Sequence, residues 1–324
     1  MRIGIIGCGF IGEKRALSVK DHEIVVLNDI NRDRAEALSK KVGGMAVANW
    51  REVISANVDV VMIATSHESL AEIAMAALKA DRHVLLEKPG ARNAEELKPL
   101  LDVARSRRRV VKIGFNHRFH PTLLKAKALV DSGEVGDLLY IRGRYGHGGR
   151  KGMEREWRCQ PARSGGGELI DQGPHLVDLS RWFLGGDLKL EYGAAPTLYW
   201  DIPVDDNCFM ALRSPRGQFA WLHATWVEWK NMFSFEIIGR EGKLVVEGLG
   251  GSYGLERLTF YKMHPQMGPP ETTIWEFPFP DTSWEREFLD FSEAMATGRR
   301  PCGDLEDAMA VLEIVAQVYA RSSP

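Results

Sequence analysis

Residues 58–64 (VDVVMIA) are apolar almost throughout, and Arg2–Ile6 and His83–Leu86 are similarly apolar short runs. A strand that is apolar at every residue, instead of every second one, must be covered on both faces. A sheet of such strands is parallel and flanked by helices. Helical patterns separate the runs at Gly12–Val19, Asp33–Lys41, Ser69–Ala80 and Asn93–Arg108, with further apolar strands at His22–Leu27 and Val110–Phe115. The first part of the chain therefore predicts a doubly wound parallel α/β domain.

The pattern changes after Asn116. Pro121 opens a helix running to about Ser132, and Leu138–Arg144 reads as a strand. A glycine- and arginine-rich stretch spans Gly143–Gly167, and a helix follows around Pro174–Leu184. Strand-like runs then succeed one another at Cys208–Leu212, Gln218–Val227, Ser234–Ile238, Lys243–Glu247, Leu258–Tyr261 and Thr273–Phe277, before two closing helices at Trp284–Thr297 and Asp304–Ala320. Segregated strands of this kind predict an α+β domain with a large, mostly antiparallel sheet. The expected division is 1–118 and 119–324.

Charge and composition narrow the function. With 42 basic and 44 acidic residues the net charge is −2, so no global field would hold a nucleic acid. The four cysteines (Cys8, Cys159, Cys208, Cys302) stand far apart, which excludes a disulfide scaffold and a clustered zinc site and suits a reducing compartment. No run approaches the ~18 apolar residues of a membrane span. Early glycines and the charges at Glu13, Lys14 and Arg15 make the first residues a buried strand instead of a signal peptide. A cytoplasmic protein without nucleic-acid or membrane partners is expected.

Gly7-Cys8-Gly9-Phe10-Ile11-Gly12 is a G-x-G-x-x-G loop between the first strand and the first helix. Glycines permit a tight turn and close backbone approach, and the helix start offers N–H groups to a pyrophosphate. Asp29 ends the next strand 17 residues after Gly12, where a carboxylate accepts hydrogen bonds from ribose hydroxyls and repels a 2′-phosphate. NAD is the expected cofactor, with NADP second because Arg32 lies close by.

Two further segments carry chemistry. Glu87-Lys88-Pro89 follows the strand His83–Leu86, at the carboxyl edge of the sheet where ligands bind in open α/β folds. A lysine there suits a developing alkoxide. In Gly165–Asp178 (GGGELIDQGPHLVD), Asp171 and His175 stand four apart at a helix start marked by Pro174. That imidazole can remove a hydroxyl proton, with Asp171 orienting the ring and favouring its protonated form. A capping aspartate and a half-buried histidine would give the same spacing.

Taken together, the glycine loop, E-K-P, Asn116-x-Arg118-Phe119, the D-x-G-x-H run and the closing pattern Phe291, Ala294, Gly298, Pro301, Asp307-Ala308 resemble the Gfo/Idh/MocA oxidoreductase family over the whole chain. The resemblance implies a Rossmann domain followed by a domain for substrate binding and oligomerisation. It implies Lys88, Asp171 and His175 as the catalytic lysine, aspartate and histidine, and Asp29 as the ribose acid of NAD-using members such as inositol 2-dehydrogenases. A cis bond before Pro89 is also implied. Cofactor contacts fall on Gly7, Gly9, Phe10, Ile11, Gly12, Asp29, Thr65, His67, Glu87 and Lys88. Substrate contacts fall on Lys88, Asn116, Arg118, Trp157, Arg158, Asp171 and His175. The implied reaction moves a hydride between NAD and a secondary alcohol or ketone of a sugar, cyclic polyol or derivative, in a homodimer or homotetramer built through the C-terminal sheet.

One segment departs from the family. Thr65-Ser66-His67-Glu68-Ser69-Leu70 stands where members often read T-P-N-x-x-H, leaving His67 as the candidate replacement near the nicotinamide. Between Arg142 and Arg163, seven basic residues face two acids, and the resemblance places this loop beside the substrate. Such a loop suits a phosphate, uronate or nucleotide sugar, or else a solvated or subunit-contact surface. Trp157 offers a face for a sugar. Gly250-Gly251-Ser252-Tyr253-Gly254 matches a hydrolase elbow, but strands flank it on both sides. His117 and His120 lack further ligands for a metal. Two rival functions remain, an NAD-retaining glycosidase and a non-catalytic NAD-binding regulator.

Overall fold

The computed structural model describes residues 1–19 and 21–322. The chain begins β1 (Arg2–Ile6), α1 (Phe10–Leu17), β2 (Glu23–Asn28), α2 (Arg32–Val42), β3 (Met45–Val47), α3 (Trp50–Ser55), β4 (Val60–Ile63), α4 (His67–Lys79), β5 (His83–Leu86), α5 (Ala94–Arg107) and β6 (Val111–Ile113). These strands form one sheet in the order β3-β2-β1-β4-β5-β6, parallel at every pairing. All four residues of β4 are buried, as a strand covered on both faces requires. The strand order reverses between β1 and β4, which is where open α/β sheets bind ligands.

The chain continues with α6 (Pro121–Asp131), β7 (Leu138–Gly146), the short α7 (Pro161–Ser164) and α8 (Glu168–Asp171), then α9 (Gly173–Leu184). Next come β8 (Lys189–Ala194), β9 (Asn207–Arg213), β10 (Phe219–Thr225), β11 (Met232–Gly239), β12 (Gly242–Glu247), β13 (Glu256–Lys262) and β14 (Glu271–Phe277), and finally α10 (Ser283–Thr297) and α11 (Leu305–Ser322). The second sheet has the order β14-β13-β12-β11-β7-β10-β9-β8, antiparallel except where β7 meets β10. Among the described residues no helix is long and apolar enough to cross a membrane.

The compact units are discontinuous in sequence. One comprises Met1–Phe115, Ala162–Gly165 and Trp284–Ala310; the other comprises Asn116–Pro161, Gly166–Ser283 and the chain from Val311 onward. A division at 118/119 treats each half as one stretch, whereas the polypeptide returns to the first unit twice. Its second return is driven by an apolar face. Phe288 and Phe291 of α10 are buried in the same cluster as Ile3, Ile5, Ala16 and Leu27.

A buried charge cluster accompanies that packing. Arg15 of α1 donates from Nε to Glu87 Oε1 at 2.6 Å and from Nη1 to Glu287 Oε2 of α10 at 2.8 Å. All three side chains are buried. Burial pushes the Glu287 carboxyl up from its ordinary value, against the pull of Arg15. Nearby, the wholly buried Lys112 donates to Asp290 Oδ2 at 2.8 Å and to the Cys302 carbonyl at 2.5 Å, tying β6 to the returning segment.

Removing the cation from the first cluster leaves two carboxylates facing each other in a dry interior. Arg15→Met is expected to lower the unfolding free energy by about 3–5 kcal/mol at neutral pH. In that variant both carboxyls titrate at a raised folded pKa, so stability returns as pH falls and is lost as pH rises through that value. Urea midpoints at pH 7 and pH 5 check this. A midpoint equal to that of the parent at pH 7 would contradict it.

Candidate functional site

In the first unit the glycine loop has the shape a dinucleotide needs. Gly7 has φ +93°, and a Cβ there would lie 2.4 Å from the Ala64 carbonyl oxygen at the end of β4. At Gly12 a Cβ would lie 1.9 Å from the Gly7 carbonyl oxygen, so only glycine lets α1 close onto β1. A Cβ at Gly9 meets nothing within 4 Å, which leaves open space beside the backbone that caps α1. Asp29 accepts from the Cys8 amide at 2.7 Å and the Asn31 amide at 2.8 Å, so its carboxylate is fixed next to the loop. Arg32 pairs with Glu36 at 2.7 Å. The Cys8 thiol is pushed up to about 12 by burial and by Asp29, which leaves it inert as a nucleophile.

Glu87 and Lys88 follow β5 directly. Glu87 is held by Arg15 and accepts from the Lys88 amide at 3.2 Å. The Gly90 amide donates to the Glu87 carbonyl at 2.9 Å, and the Lys88–Pro89 bond is cis, as the resemblance implies. In the departing segment, the Thr65 hydroxyl donates to the Ser66 carbonyl at 3.2 Å. His67 is buried with Nδ1 2.7 Å from the Ser164 carbonyl; a carbonyl only accepts, so Nδ1 carries the proton. Arg163 donates to Glu68 at 2.7 Å and to the Ser66 hydroxyl at 3.2 Å. The altered sequence thus ties the start of α4 to the first return of the chain.

In the second unit, Asp171 ends α8 and His175 lies in the first turn of α9; both are buried. Asp205 anchors this segment. It accepts from the Gly167 amide at 2.9 Å, the Leu169 amide at 2.7 Å and the Tyr319 hydroxyl at 2.8 Å. The last glycine of the G-G-G run is required by this contact, since a Cβ at Gly167 would lie 1.9 Å from the Asp205 carbonyl oxygen.

The His175 ring packs against His117 in a tilted contact, with centroids 3.6 Å apart and planes at 37°, and lies 6.2 Å from the Tyr145 ring. Tyr145 is hydrogen-bonded to Tyr253, and burial above all holds its hydroxyl well above the ordinary tyrosine range. His120 Nδ1 lies 2.7 Å from Glu256 Oε1. Asn116 donates to the Ser283 hydroxyl at 3.1 Å. Arg118 is buried and grips Asp178 with two bonds of 2.8 and 2.5 Å, one turn along α9 from His175. Arg118, an expected substrate ligand, therefore also braces the helix that carries the histidine.

The basic loop is pinned by Met153 and Cys159, which are buried with Val204 and Trp226. Arg158 Nε lies 3.2 Å from Asp171 Oδ2, and its guanidinium sits 4.7 Å over the Trp157 ring. Glu156 lies 2.6 Å from Arg150 and 3.6 Å from Arg158. Among the described residues no group of three or more His, Cys, Asp or Glu is placed to hold a metal ion. Arg15, Glu287 and Tyr145 belong to no motif; His117, weighed in the sequence only as half of an incomplete metal pair with His120, lies inside the N-x-R-F run and packs against His175.

Comparisons with known proteins identify the family and the fold. A model of the NAD-binding Rossmann domain of the GFO/IDH/MocA oxidoreductases matches residues 1–115, and a model of the family's C-terminal domain matches residues 123–245. The chain is 28% identical over 284 residues to a levoglucosan dehydrogenase of Pseudarthrobacter phenanthrenivorans, covering 76% of this chain and 73% of that protein. It is 32% identical over 207 residues to an inositol 2-dehydrogenase of Gluconacetobacter diazotrophicus, covering 61% of this chain and 57% of that protein. A solved levoglucosan dehydrogenase in complex with NADH superimposes with a TM-score of 0.88 at 25% identity, over 99% of this chain and 96% of that one. The chain belongs to the GFO/IDH/MocA family of NAD-binding oxidoreductases.

Proposed function

We propose that the protein is an NAD-dependent dehydrogenase or reductase of an uncharged cyclic polyol or sugar. The observation that carries this reading is the buried carboxylate and imidazole of Asp171 and His175, held at the α8–α9 junction by Asp205 and Arg118. In it, Gly7, Gly9 and Gly12 take the pyrophosphate against the start of α1, and Asp29 takes the ribose hydroxyls. The open space at Gly9 and the tight contacts at Gly7 and Gly12 fit that role. NAD held there would supply the hydride acceptor or donor. His175 exchanges the hydroxyl proton, Asp171 supports its charged form, and Lys88 stabilises the developing alkoxide.

The substrate class follows from charge. Arg142, Arg150, Arg155, Arg158 and Arg163 each lie within 4.0 Å of a carboxylate of this chain. A phosphate or uronate gains less electrostatically from an arginine whose charge a carboxylate already offsets. Neutral hydroxyls need no such gain.

The outward side of the second sheet supports self-association. Tyr140, Tyr192, Phe219 and Trp221 are all exposed there, with Tyr192 and Trp221 stacked at 6.5 Å. Alternate residues of β10 are buried on the other side. An apolar face of this kind suits a second copy of the chain.

Lys88→Met and His175→Ala are expected to cut kcat by at least about 100-fold while NAD still quenches intrinsic fluorescence at a similar concentration. Normal turnover in both would overturn the catalytic roles of Lys88 and His175. In a panel of cyclic polyols, anhydrosugars, sugar phosphates and uronates, NADH formation is expected with the neutral members; activity confined to the anionic ones would reverse the substrate class. Trp221→Glu is expected to turn a dimer or tetramer into a monomer in sedimentation, and a parent protein already monomeric would refute the interface.

A further inference from the structure

Arg158 reaches the candidate catalytic carboxylate from outside the family motif. Its Nε sits 3.2 Å from Asp171 Oδ2, and Glu156 draws the same guanidinium from the other side at 3.6 Å. Arg150 completes an alternating row, Arg150, Glu156, Arg158, Asp171, that runs from solvent to a carboxylate only 8% exposed. Met153 and Cys159 seat this loop in a small apolar cluster, so Arg158 is carried on a fixed stretch of backbone.

We infer that Arg158 is a positioning residue that sets the pH at which the Asp171–His175 pair works. The inference rests on His175 being the proton-exchanging group. A carboxylate favours the protonated form of a nearby imidazole, and a cation on that carboxylate cancels part of the effect. Arg158 therefore keeps His175 neutral, and able to accept a proton from an alcohol, to lower pH than Asp171 alone would allow.

The other charged groups of the same reading, Lys88 and the Arg118–Asp178 pair, and the titratable groups around the pair are the same in the parent and in the Arg158 variants. His147, on the loop side, accepts from the Gly149 amide at its Nδ1 at 3.0 Å, and burial lowers its pKa, so it carries no charge near neutrality. Tyr145 and Tyr253 both titrate above the ordinary tyrosine value. His117 packs at a tilt against His175, and beyond it His120 pairs with Glu256. Glu168 opens α8, and Asp205 accepts from the backbone entering it; the Asp205 carboxyl is raised by burial and accepts three hydrogen bonds. Arg158 Nε, 3.2 Å from Asp171 Oδ2, sets a positive charge directly on that carboxylate.

The test is the acidic limb of the kcat/KM profile for alcohol oxidation, which reports the pKa of the free enzyme's base. Arg158→Gln is expected to move that limb to higher pH by about half a unit or more, because Asp171 then stabilises the imidazolium unopposed. Arg158→Lys, which keeps the charge, is expected to leave the limb near the parent position. Glu156→Gln releases Arg158 toward Asp171 and is expected to shift the limb to lower pH. An Arg158→Gln limb at the parent position, with only KM raised, would make Arg158 a plain substrate ligand and overturn the inference. Should Arg158→Gln fail to fold, Glu156→Gln decides alone: an acid shift supports the inference and no shift ends it. His175→Ala serves as the control on the underlying reading, since residual activity that still shows the limb would mean that His175 is not the titrating base.

Discussion

One guanidinium joins three distant parts of the first unit. Arg15 sits one turn past the glycine loop, Glu87 directly precedes Lys88, and Glu287 arrives on α10, 272 residues after Arg15. An arginine suits this because its planar fork meets two carboxylates at once and stays charged when buried. Its position also explains a glycine no motif accounts for: a Cβ at Gly114 would lie 2.4 Å from Arg15 Nη2 and 3.1 Å from Glu87. Through this cluster the backbone at Lys88 and the helix that follows the glycine loop are held to each other. A catalytic group must be kept within fractions of an ångström to be useful.

The second unit uses the same device with different residues. Arg118 holds Asp178 on α9, Asp205 holds the backbone entering α8, and Glu256 collects His120, the Thr122 hydroxyl at 3.1 Å and the Gly250 amide at 3.0 Å. Each is a buried charge satisfied by several partners, and each would be costly if left unpaired. Asp171 and His175 thus stand on backbone locked from more than one direction. Both units place buried polar groups near the candidate chemistry, where a purely apolar core would pack but would not aim a side chain.

Legibility in the sequence followed the range of the interaction. β1 and β5 begin and end at the residues expected, because continuous apolar runs closed by glycine or charge are local signals. β3 and α3 were missed. Three residues of strand carry no periodicity, and the Asn49–Glu52 capping box that starts α3 lies in a stretch with little apolar patterning. β8 went unnamed because it is an edge strand with a register shift between Leu190 and Tyr192. The family assignment was readable from motifs spread along the chain. The return of α10 to the first unit was not, since Phe288, Phe291 and Glu287 look like any amphipathic helix until their partners are known.

The basic loop shows most plainly what a residue count leaves out. Seven cations against two acids between Arg142 and Arg163 suggest an anion trap, but three of those cations meet carboxylates from elsewhere in the sequence: Glu68 for Arg163, Asp171 for Arg158, Glu236 for Arg142. Only folding brings them together. A guanidinium paired in this way loses its net charge toward the site but not its directionality, because one carboxylate does not use all five of its N–H groups. The stretch is also not one surface: Arg142 lies on the outward side of β7 beside Tyr140, whereas Arg158 meets the buried Asp171, so a run of basic residues in the sequence is divided between different surroundings once the chain folds.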